Sequence, residues 1–236
     1  MISFEDLLAS KPDIHPGLWD INVELARFLD ENVRPGMVTL ETGAGLSTLV
    51  IGRKGVSSHI AITPSADEVQ AIRRFFQQVG IDAAFLTTVA SRSQDYLPTT
   101  DLPALDLVLI DGDWSFPVPF IDWYYTAESL TVGGVMVIDD THMITRTILA
   151  DFMRADAKWE EVGRYRRGQF AVYRKARHPI HDGRPAAQAY LYDVYPLKAV
   201  RRIPYHPVGR ALRAATYRLP PGIQRPLRAF YRRLVR

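Results

Sequence analysis

The sequence predicts an α/β protein with a doubly wound, mostly parallel sheet, on three observations. Short apolar runs alternate with segments of helical periodicity between residues 36 and 175, which is the pattern of successive βαβ units. The run LDLVLI at Leu105–Ile110 is nearly continuous in apolar residues, as expected of a central strand buried on both faces. The stretch VTLETGAGLST at residues 38–48 has the pattern of a strand, a glycine turn and a helix start, which can hold a cofactor.

Composition excludes several classes of protein. The 236 residues are 47% hydrophobic and contain no cysteine, so disulfides, zinc–thiolate sites and thiol nucleophiles are excluded. No segment reaches the roughly 18 apolar residues of a membrane span. The N-terminal residues are acidic and lack the basic segment of a secretion signal. These observations predict a cytoplasmic protein.

Charge divides the chain into parts of opposite sign. Residues 1–175 hold 16 basic and 24 acidic side chains, a net charge of −8, whereas residues 176–236 hold 13 basic and 2 acidic ones, a net charge of +11. We therefore predict a helical extension over 1–35, a cofactor-binding domain over 36–175 and a basic extension, rich in arginine and proline, over 176–236.

Capping residues and apolar spacing place the elements of the first half. Ser3, with Asp6 three residues later, begins a short helix. Ser65 caps a longer helix that Gly80 stops. Helices are expected over residues 3–8, 19–33 and 65–79, with one more starting at a cap on Ser47 or Thr48, a loop over 11–17, and strands over 38–41, 58–63 and 83–89.

The second half continues the alternation and ends differently. Strands are expected over 105–110 and 135–138, and helices over 119–130 and from 143 to 155, the last of them capped by Asp140 or Thr141. Two further runs, over 159–164 and 169–174, flank Arg167 and Gly168, which predicts a closing hairpin.

Acidic residues follow the expected strands at their carboxyl ends, where ligands bind in such sheets. LVLIDGD ends in Asp111 and Asp113, and VMVIDD ends in Asp139 and Asp140. Helix capping explains one aspartate at each strand end but not the repeated pattern. Because crowded carboxylates need a cation or a proton to coexist, we interpret them as functional.

Taken together, ETGAGLST, LDLVLIDGDWSFP and LTVGGVMVIDD resemble the class I S-adenosylmethionine-dependent methyltransferases. The resemblance is greatest to the group with motifs like IDGDHSY and GGxxxIDD, and it covers about residues 36–175. It implies a Rossmann-like, seven-stranded sheet whose last two strands are antiparallel, which agrees with the predicted hairpin.

The same resemblance implies a set of site residues. Gly43 and Gly45 would line the cofactor and Glu41 would lie near its amino group; the cofactor residues expected are Glu41, Gly43, Gly45, Ser47, Thr63, Ser93 and Asp111. A Mg²⁺-type ion would be held by Asp111, Asp139 and Asp140, because hard oxygen ligands suit that ion. His142 and Asp139 are the catalytic candidates. His142 would serve as a base, although a solvent-facing residue in the first turn of a helix explains it as well.

Two departures from the family pattern matter. Thr63 stands where relatives have an acid that binds the cofactor ribose, and Trp114 stands where they have histidine. Glu68 or Asp67 could replace the missing acid, although a solvated helix start explains both more simply. Trp114 and Phe116 are candidates for the floor of an acceptor pocket. Core packing is expected for the helically spaced aromatic residues Phe120, Trp123 and Tyr124.

The activity predicted is methylation of a hydroxyl on a small molecule or sugar-containing natural product, assisted by Mg²⁺. A catalytically silent methyltransferase-like binding module is the alternative, and another nucleotide-binding α/β protein is a third. For the basic extension, docking on the acidic domain, within the chain or in a homodimer, competes with peripheral contact to an anionic membrane. Nucleic-acid binding has no motif in its support.

Overall fold

The computed structural model describes residues 2–10, 21–165 and 169–181. They all belong to the first of two compact units, Met1–Gly183. The loop expected over 11–17, the hairpin tip at Arg167 and Gly168, and the basic extension beyond residue 181 lie outside the described residues.

The predicted seven-stranded sheet is confirmed, with strand order β3-β2-β1-β4-β5-β7-β6. The first five strands are parallel to one another, and β7 runs antiparallel to both β5 and β6. The strands are β1 Val38–Thr42, β2 Ser58–Thr63, β3 Leu86–Ala90, β4 Leu105–Ile110, β5 Leu130–Ile138, β6 Trp159–Tyr165 and β7 Phe170–Lys175. Central strand β4 is buried on both faces, as its apolar run predicts.

Helices connect the parallel strands and cover the sheet. They are α1 Phe4–Ala9, α2 Val23–Asn32, α3 Leu46–Gly52, α4 Ala66–Gln78, α5 Ser93–Tyr96, α6 Val118–Ser129 and α7 Ile144–Ala155, with 3₁₀ turns at Ala83–Phe85 and Leu97–Thr99. Ser65 caps α4 by accepting a hydrogen bond from the Glu68 N–H, and Gly80 follows the helix with φ +70°, both as expected. None of the described helices has the length and apolar character needed to cross a bilayer.

Two predicted strand starts are wrong. Residues 83–85 form a 3₁₀ turn, because the Asp82 carboxylate accepts a hydrogen bond from the Ala84 N–H at 3.0 Å and bends the chain before β3. Strand β5 begins at Leu130 and not at residue 135, since Leu130 already pairs with Leu105 ahead of an irregularity in the register. Local turn chemistry decides the first boundary and strand pairing decides the second.

Two predicted helix caps are also wrong. Gly45 is the N-cap of α3, so Ser47 and Thr48 lie inside the helix. Met143 is the N-cap of α7 and makes no side-chain cap. The Thr141 hydroxyl instead donates to the Gln169 carbonyl at 2.8 Å. Thr48 still contributes to the start of α3 from inside the helix, because its hydroxyl accepts a hydrogen bond from the Gly45 N–H at 3.0 Å.

Candidate active site

Backbone hydrogen bonds align the loops that follow the central strands. The N–H of Gly43 donates to the Ile62 carbonyl at 2.8 Å, that of Asp111 to Thr42 at 3.0 Å, and that of Asp139 to Ile110 at 3.1 Å. The ladder of the sheet thus continues one residue past each strand end. Asp111 and Asp139 are placed side by side because β4 and β5 are adjacent and in register.

The sheet brings the three predicted metal-ligand candidates together. One carboxylate oxygen from each of Asp111, Asp139 and Asp140 lies within 4.8 Å of the others. Asp139 is 4% exposed, whereas the other two are partly open to solvent. Burial raises the pKa of Asp139 to about 6, and burial together with the neighbouring Asp139 raises the pKa of Asp111 well above its usual value. These two carboxyls therefore hold protons more tightly than isolated ones do.

Arg146, a residue that none of the sequence motifs includes, lies against the same carboxylates. Its side chain is 1% exposed, and Nη1 lies 3.1 Å from Asp140 Oδ2 and 3.6 Å from Asp111 Oδ1. The donor type of the three carboxylates suits Mg²⁺, which requires oxygen ligands at about 2.1 Å in an octahedron. With a fixed cation already among them, the carboxylates do not fit a divalent ion.

Asp140 connects Arg146 to His142. The Nδ1 atom of His142 lies 3.7 Å from Asp140 Oδ1, and the imidazole is about half exposed. Asp140 has φ +47°, in the left-handed region that aspartate tolerates better than most residues. The arginine thus fixes one carboxylate oxygen while the other faces an imidazole open to solvent, which is an arrangement able to orient a base.

Gly43 turns the chain directly above the β4 loop. Its φ is +102°, and a Cβ built on it would lie 3.0 Å from the carbonyl oxygen of Asp111. A side chain at this position would press on the backbone that carries Asp111. Glycine at 43 is therefore required for strand packing, whatever it contributes to a ligand.

Glu41 lies in a buried polar network. Its carboxylate has no exposed surface and accepts hydrogen bonds from the hydroxyls of Ser47, at 2.5 Å, and Thr48. The Nε2 atom of His59 lies 3.0 Å from the carboxylate, and Thr39 Oγ1 lies 2.8 Å from Nδ1 of the same ring. The carboxylate thus anchors the start of α3 to β2, and because it is fully buried it exposes no oxygen to the cofactor amino group that the sequence predicts beside it.

A carboxylate lies at the end of β2, but it belongs to Glu68 and not to residue 63. The Thr63 hydroxyl donates to Glu68 Oε2 at 2.6 Å and accepts from the Ser65 N–H at 3.2 Å. Glu68 is the third residue of α4, and its half-buried side chain reaches back to the strand end. Among the described residues, no hydrogen-bond donor reaches its second oxygen, Oε1.

Asp122 of α6 is fully buried beneath the glycine turn. Burial raises its pKa to about 6, although the nearby hydroxyls of Ser93 and Thr42 oppose that rise. Ser93 was expected to contact the cofactor, and it is 7% exposed in this structure. Asp122 therefore lies near Thr42 at the end of β1 and Ser93 after β3, and neither of its oxygens has a hydrogen-bond partner among the described residues.

Replacing Asp122 with asparagine should change how stability depends on pH. Because the folded-state pKa is raised, the aspartate stabilises the fold below about pH 4, and that contribution is lost as the pH rises through 6. A difference of about two pH units corresponds to about 3 kcal/mol, so Asp122→Asn should be more stable than the parent at pH 8 by up to that amount. Urea unfolding at pH 8 and pH 4.5 measures the difference.

Asp113→Asn is the matched control, since Asp113 is exposed and hydrogen bonds from Ser115 lower its pKa. It should cause only a small change of opposite sign. A gain for Asp122→Asn that is equal at both pH values would contradict the titration of this carboxyl.

The aromatic residues after β4 divide into two groups. Trp114 and Phe116 are 42% and 77% exposed beside the carboxylates, where an acceptor could contact them. Trp123 is buried against Phe152 at a ring-centroid distance of 5.1 Å, as core packing predicts. The core role expected for Tyr124 is wrong, since this side chain is half exposed and stacks on His181.

Arg146 and Asp122 each have a signal in the sequence. Arg146 precedes Leu149, Ala150 and Met153 at spacings of three, four and seven residues, which places a charge on the apolar face of α7. Asp122 likewise lies on the same face of α6 as Val118 and Thr126. A charged residue on an apolar helical stripe must find a partner in the core or change its protonation state, so it marks a candidate functional site.

The sheet order, the antiparallel last strand and the glycine turn above an acidic loop define the fold of a class I methyltransferase. Residues 40–141 match the family model described as a methyltransferase domain. The chain therefore has the class I methyltransferase fold. A search of curated proteins found no significant match.

Solved structures show the same fold. Cofactor-bound Rv0187 from MTB is 20% identical, with a TM-score of 0.58 over 72% of this chain and 88% of that one. TomG, an O-methyltransferase from Streptomyces achromogenes involved in tomaymycin synthesis and solved with SAM, is 14% identical, with a TM-score of 0.58 over 73% and 90%. A methyltransferase from Geobacter sulfurreducens is 10% identical, with a TM-score of 0.58 over 75% and 91%.

Proposed function

We propose that this protein transfers a methyl group from S-adenosylmethionine to a hydroxyl oxygen of a small molecule, such as a phenol or a sugar-containing natural product. One observation carries the proposal: His142 and the carboxylates of Asp139 and Asp140 lie together at the carboxyl edge of the sheet, beside the Gly43 turn. A hydroxyl acceptor must lose its proton during transfer, and this edge offers groups that can take one.

The residues at the carboxyl edge fit the cofactor. The turn at Gly43 and Gly45, the Glu68 carboxylate at the end of β2 and the Ser93 loop lie at the ends of three strands that are neighbours in the sheet. Bound S-adenosylmethionine would supply an electrophilic methyl group on its sulfonium. The protein residues would align the acceptor with that group, which is the main requirement of an in-line displacement.

Glu68 is proposed to bind the ribose hydroxyls in place of the acid that Thr63 replaces. Thr63 holds Glu68 Oε2, and Oε1 is left to accept hydrogen bonds from a ligand. Because hydrogen bonds to a charged acceptor contribute about 1.5–3 kcal/mol, Glu68→Gln should weaken binding of S-adenosylhomocysteine by roughly 10- to 100-fold. Titration calorimetry with the full chain measures this change.

Asp67→Asn is the matched control, because Asp67 lies in the same helical turn with an exposed side chain and should bind the ligand as the parent does. If Glu68→Gln bound as tightly as Asp67→Asn, Glu68 would be a helix-start residue without a role in binding.

His142 is proposed to accept the acceptor proton, with Asp140 orienting its ring and Arg146 fixing Asp140. His142 is the exposed member of this chain of contacts, at the edge where an acceptor would approach. Asp139, almost fully buried beside Asp111, would hold the acidic loop in place and keep a proton there. The Mg²⁺ that the motifs predict has no step in this mechanism, because Arg146 lies among the carboxylates.

A panel of paired acceptors tests the reaction. Each pair shares one scaffold and differs in a hydroxyl or an amine, and release of S-adenosylhomocysteine reports transfer. Turnover restricted to the hydroxyl members is expected. Turnover of the amines alone would overturn the assignment to oxygen, and failure to bind S-adenosylhomocysteine by calorimetry would overturn the proposal as a whole.

The silent binding module makes a different prediction. It would bind S-adenosylhomocysteine and show no turnover with any acceptor. Thr63 stands where relatives have an acid, and this loss supports a silent module. The support is weaker in the structure, because Glu68 supplies a carboxylate at the same strand end.

A further inference from the structure

Arg146 occupies an unusual position for an arginine. It is the third residue of α7, and the residue as a whole has no exposed surface. Arginine is rarely buried without partners because an isolated guanidinium loses its hydration. Its burial therefore requires contacts that compensate the positive charge.

Three groups surround the guanidinium. Nη2 donates to the Gly112 carbonyl at 2.6 Å, and Nη1 donates to Asp140 Oδ2 at 3.1 Å and lies 3.6 Å from Asp111 Oδ1. The Nε atom is buried with no hydrogen-bond partner among the described residues. The arginine thus joins the β4 loop to the β5 loop through its two terminal nitrogens.

These contacts use two of the three carboxylates that a divalent ion would need. A cation bound by Asp111, Asp139 and Asp140 would lie within a few ångströms of a buried positive charge, where the low dielectric strengthens repulsion. The arginine cannot move into solvent without leaving the Gly112 carbonyl and its own buried position.

We propose that Arg146 is the permanent cation of this cluster and prevents divalent metal from binding there. It serves as a positioning residue, because it compensates the charge of Asp111 and Asp140 and sets the spacing of their loops. A metal ion would fill this role if no arginine lay against the same carboxylates. The role of Arg146 does not depend on which acceptor the protein methylates.

Binding of Mn²⁺, followed by electron paramagnetic resonance of the free ion, tests the proposal without an activity assay. The parent should bind no more Mn²⁺ than the Asp139→Asn variant does. Arg146→Met should gain one site, at least ~10-fold tighter than any parent binding, because removal of the charge frees Asp111 and Asp140 to bind an ion together with Asp139. Adding Asp139→Asn to Arg146→Met should abolish the new site.

Arg154→Met is the matched control on the same helix, since Arg154 pairs with Asp151 at the surface and its side chain is 54% exposed. It should bind Mn²⁺ as the parent does. Arg146→Gln, which keeps a donor for the Gly112 carbonyl, replaces the methionine variant if circular dichroism shows that variant unfolded.

Two results would overturn the proposal. One is a Mn²⁺ site in the parent that Asp139→Asn removes. The other is a folded Arg146→Met or Arg146→Gln variant that binds no more Mn²⁺ than the parent.

Discussion

The His142→Gln variant is expected to transfer methyl groups about 100- to 10,000-fold more slowly than the parent, the usual cost of removing a general base. Glutamine keeps a polar side chain of similar length but cannot accept a proton at neutral pH. Affinity for S-adenosylhomocysteine should stay within about twofold, because the exposed imidazole is not among the residues proposed to contact the cofactor. Turnover numbers with the best acceptor of the paired panel, together with calorimetry, separate the two effects.

His178→Gln is the matched control. His178 is also about half exposed and also faces a carboxylate, Glu128 at 3.2 Å. Glu128 lies at the C-terminal end of α6, next to the start of β5 and therefore at the opposite edge of the sheet from the acidic loops. Equal turnover for His142→Gln and His178→Gln would show that His142 is not the base.

Replacing Lys175 with methionine should lower the free energy of unfolding by about 3–5 kcal/mol, since several buried acceptors would lose their donor together. The side chain is fully buried at the end of β7. Its Nζ donates to the carbonyls of Ala127 at 2.7 Å, Glu128 at 3.1 Å and Leu130 at 2.6 Å. Ala127 and Glu128 lie in the last turn of α6 and Leu130 is its C-cap, so methionine would remove the donor that their carbonyls share.

Burial lowers the pKa of Lys175 to about 8, so the ammonium is still charged at pH 7 and favours the negative end of the helix dipole. Urea unfolding at pH 7 measures the loss. Arg174→Met is the matched control, because Arg174 pairs with Glu160 at the surface and such pairs contribute at most about 1 kcal/mol. Equal stability of the two variants would contradict the role of Lys175 as a helix cap.

Residues 105–110 and 135–138 illustrate what the sequence determines about the fold. Their apolar runs require burial on both faces, and the glycine, aspartate and serine residues around them specify turns, so a parallel sheet follows from local chemistry. The motifs then indicate the class of fold. Strand starts at Leu86 and Leu130 are less predictable, because one depends on a side chain that bends the chain and the other on pairing with Leu105.

The composition of the acidic cluster follows from the sequence as well, since Asp111, Asp139 and Asp140 end strands that lie side by side. The cation that compensates the charge of this cluster does not follow from the sequence. The sequence suggests carboxylates that need a metal ion, whereas α7 packs Arg146 against two of them. Likewise, Thr63 suggests a missing ribose-binding acid, whereas the first turn of α4 brings Glu68 to the same strand end.

The sequence by itself therefore determined the sheet, the glycine turn and the acidic strand ends, because each depends on residues next to one another in the chain. Tertiary structure alone decided which charge compensates the carboxylates, which acid lies at the end of β2 and which ammonium caps α6. These contacts join residues whose distance depends on how helices pack on the sheet. The net charge of a site depends on such packing, since burial favours the protonated carboxyl and a nearby cation favours the ionised one.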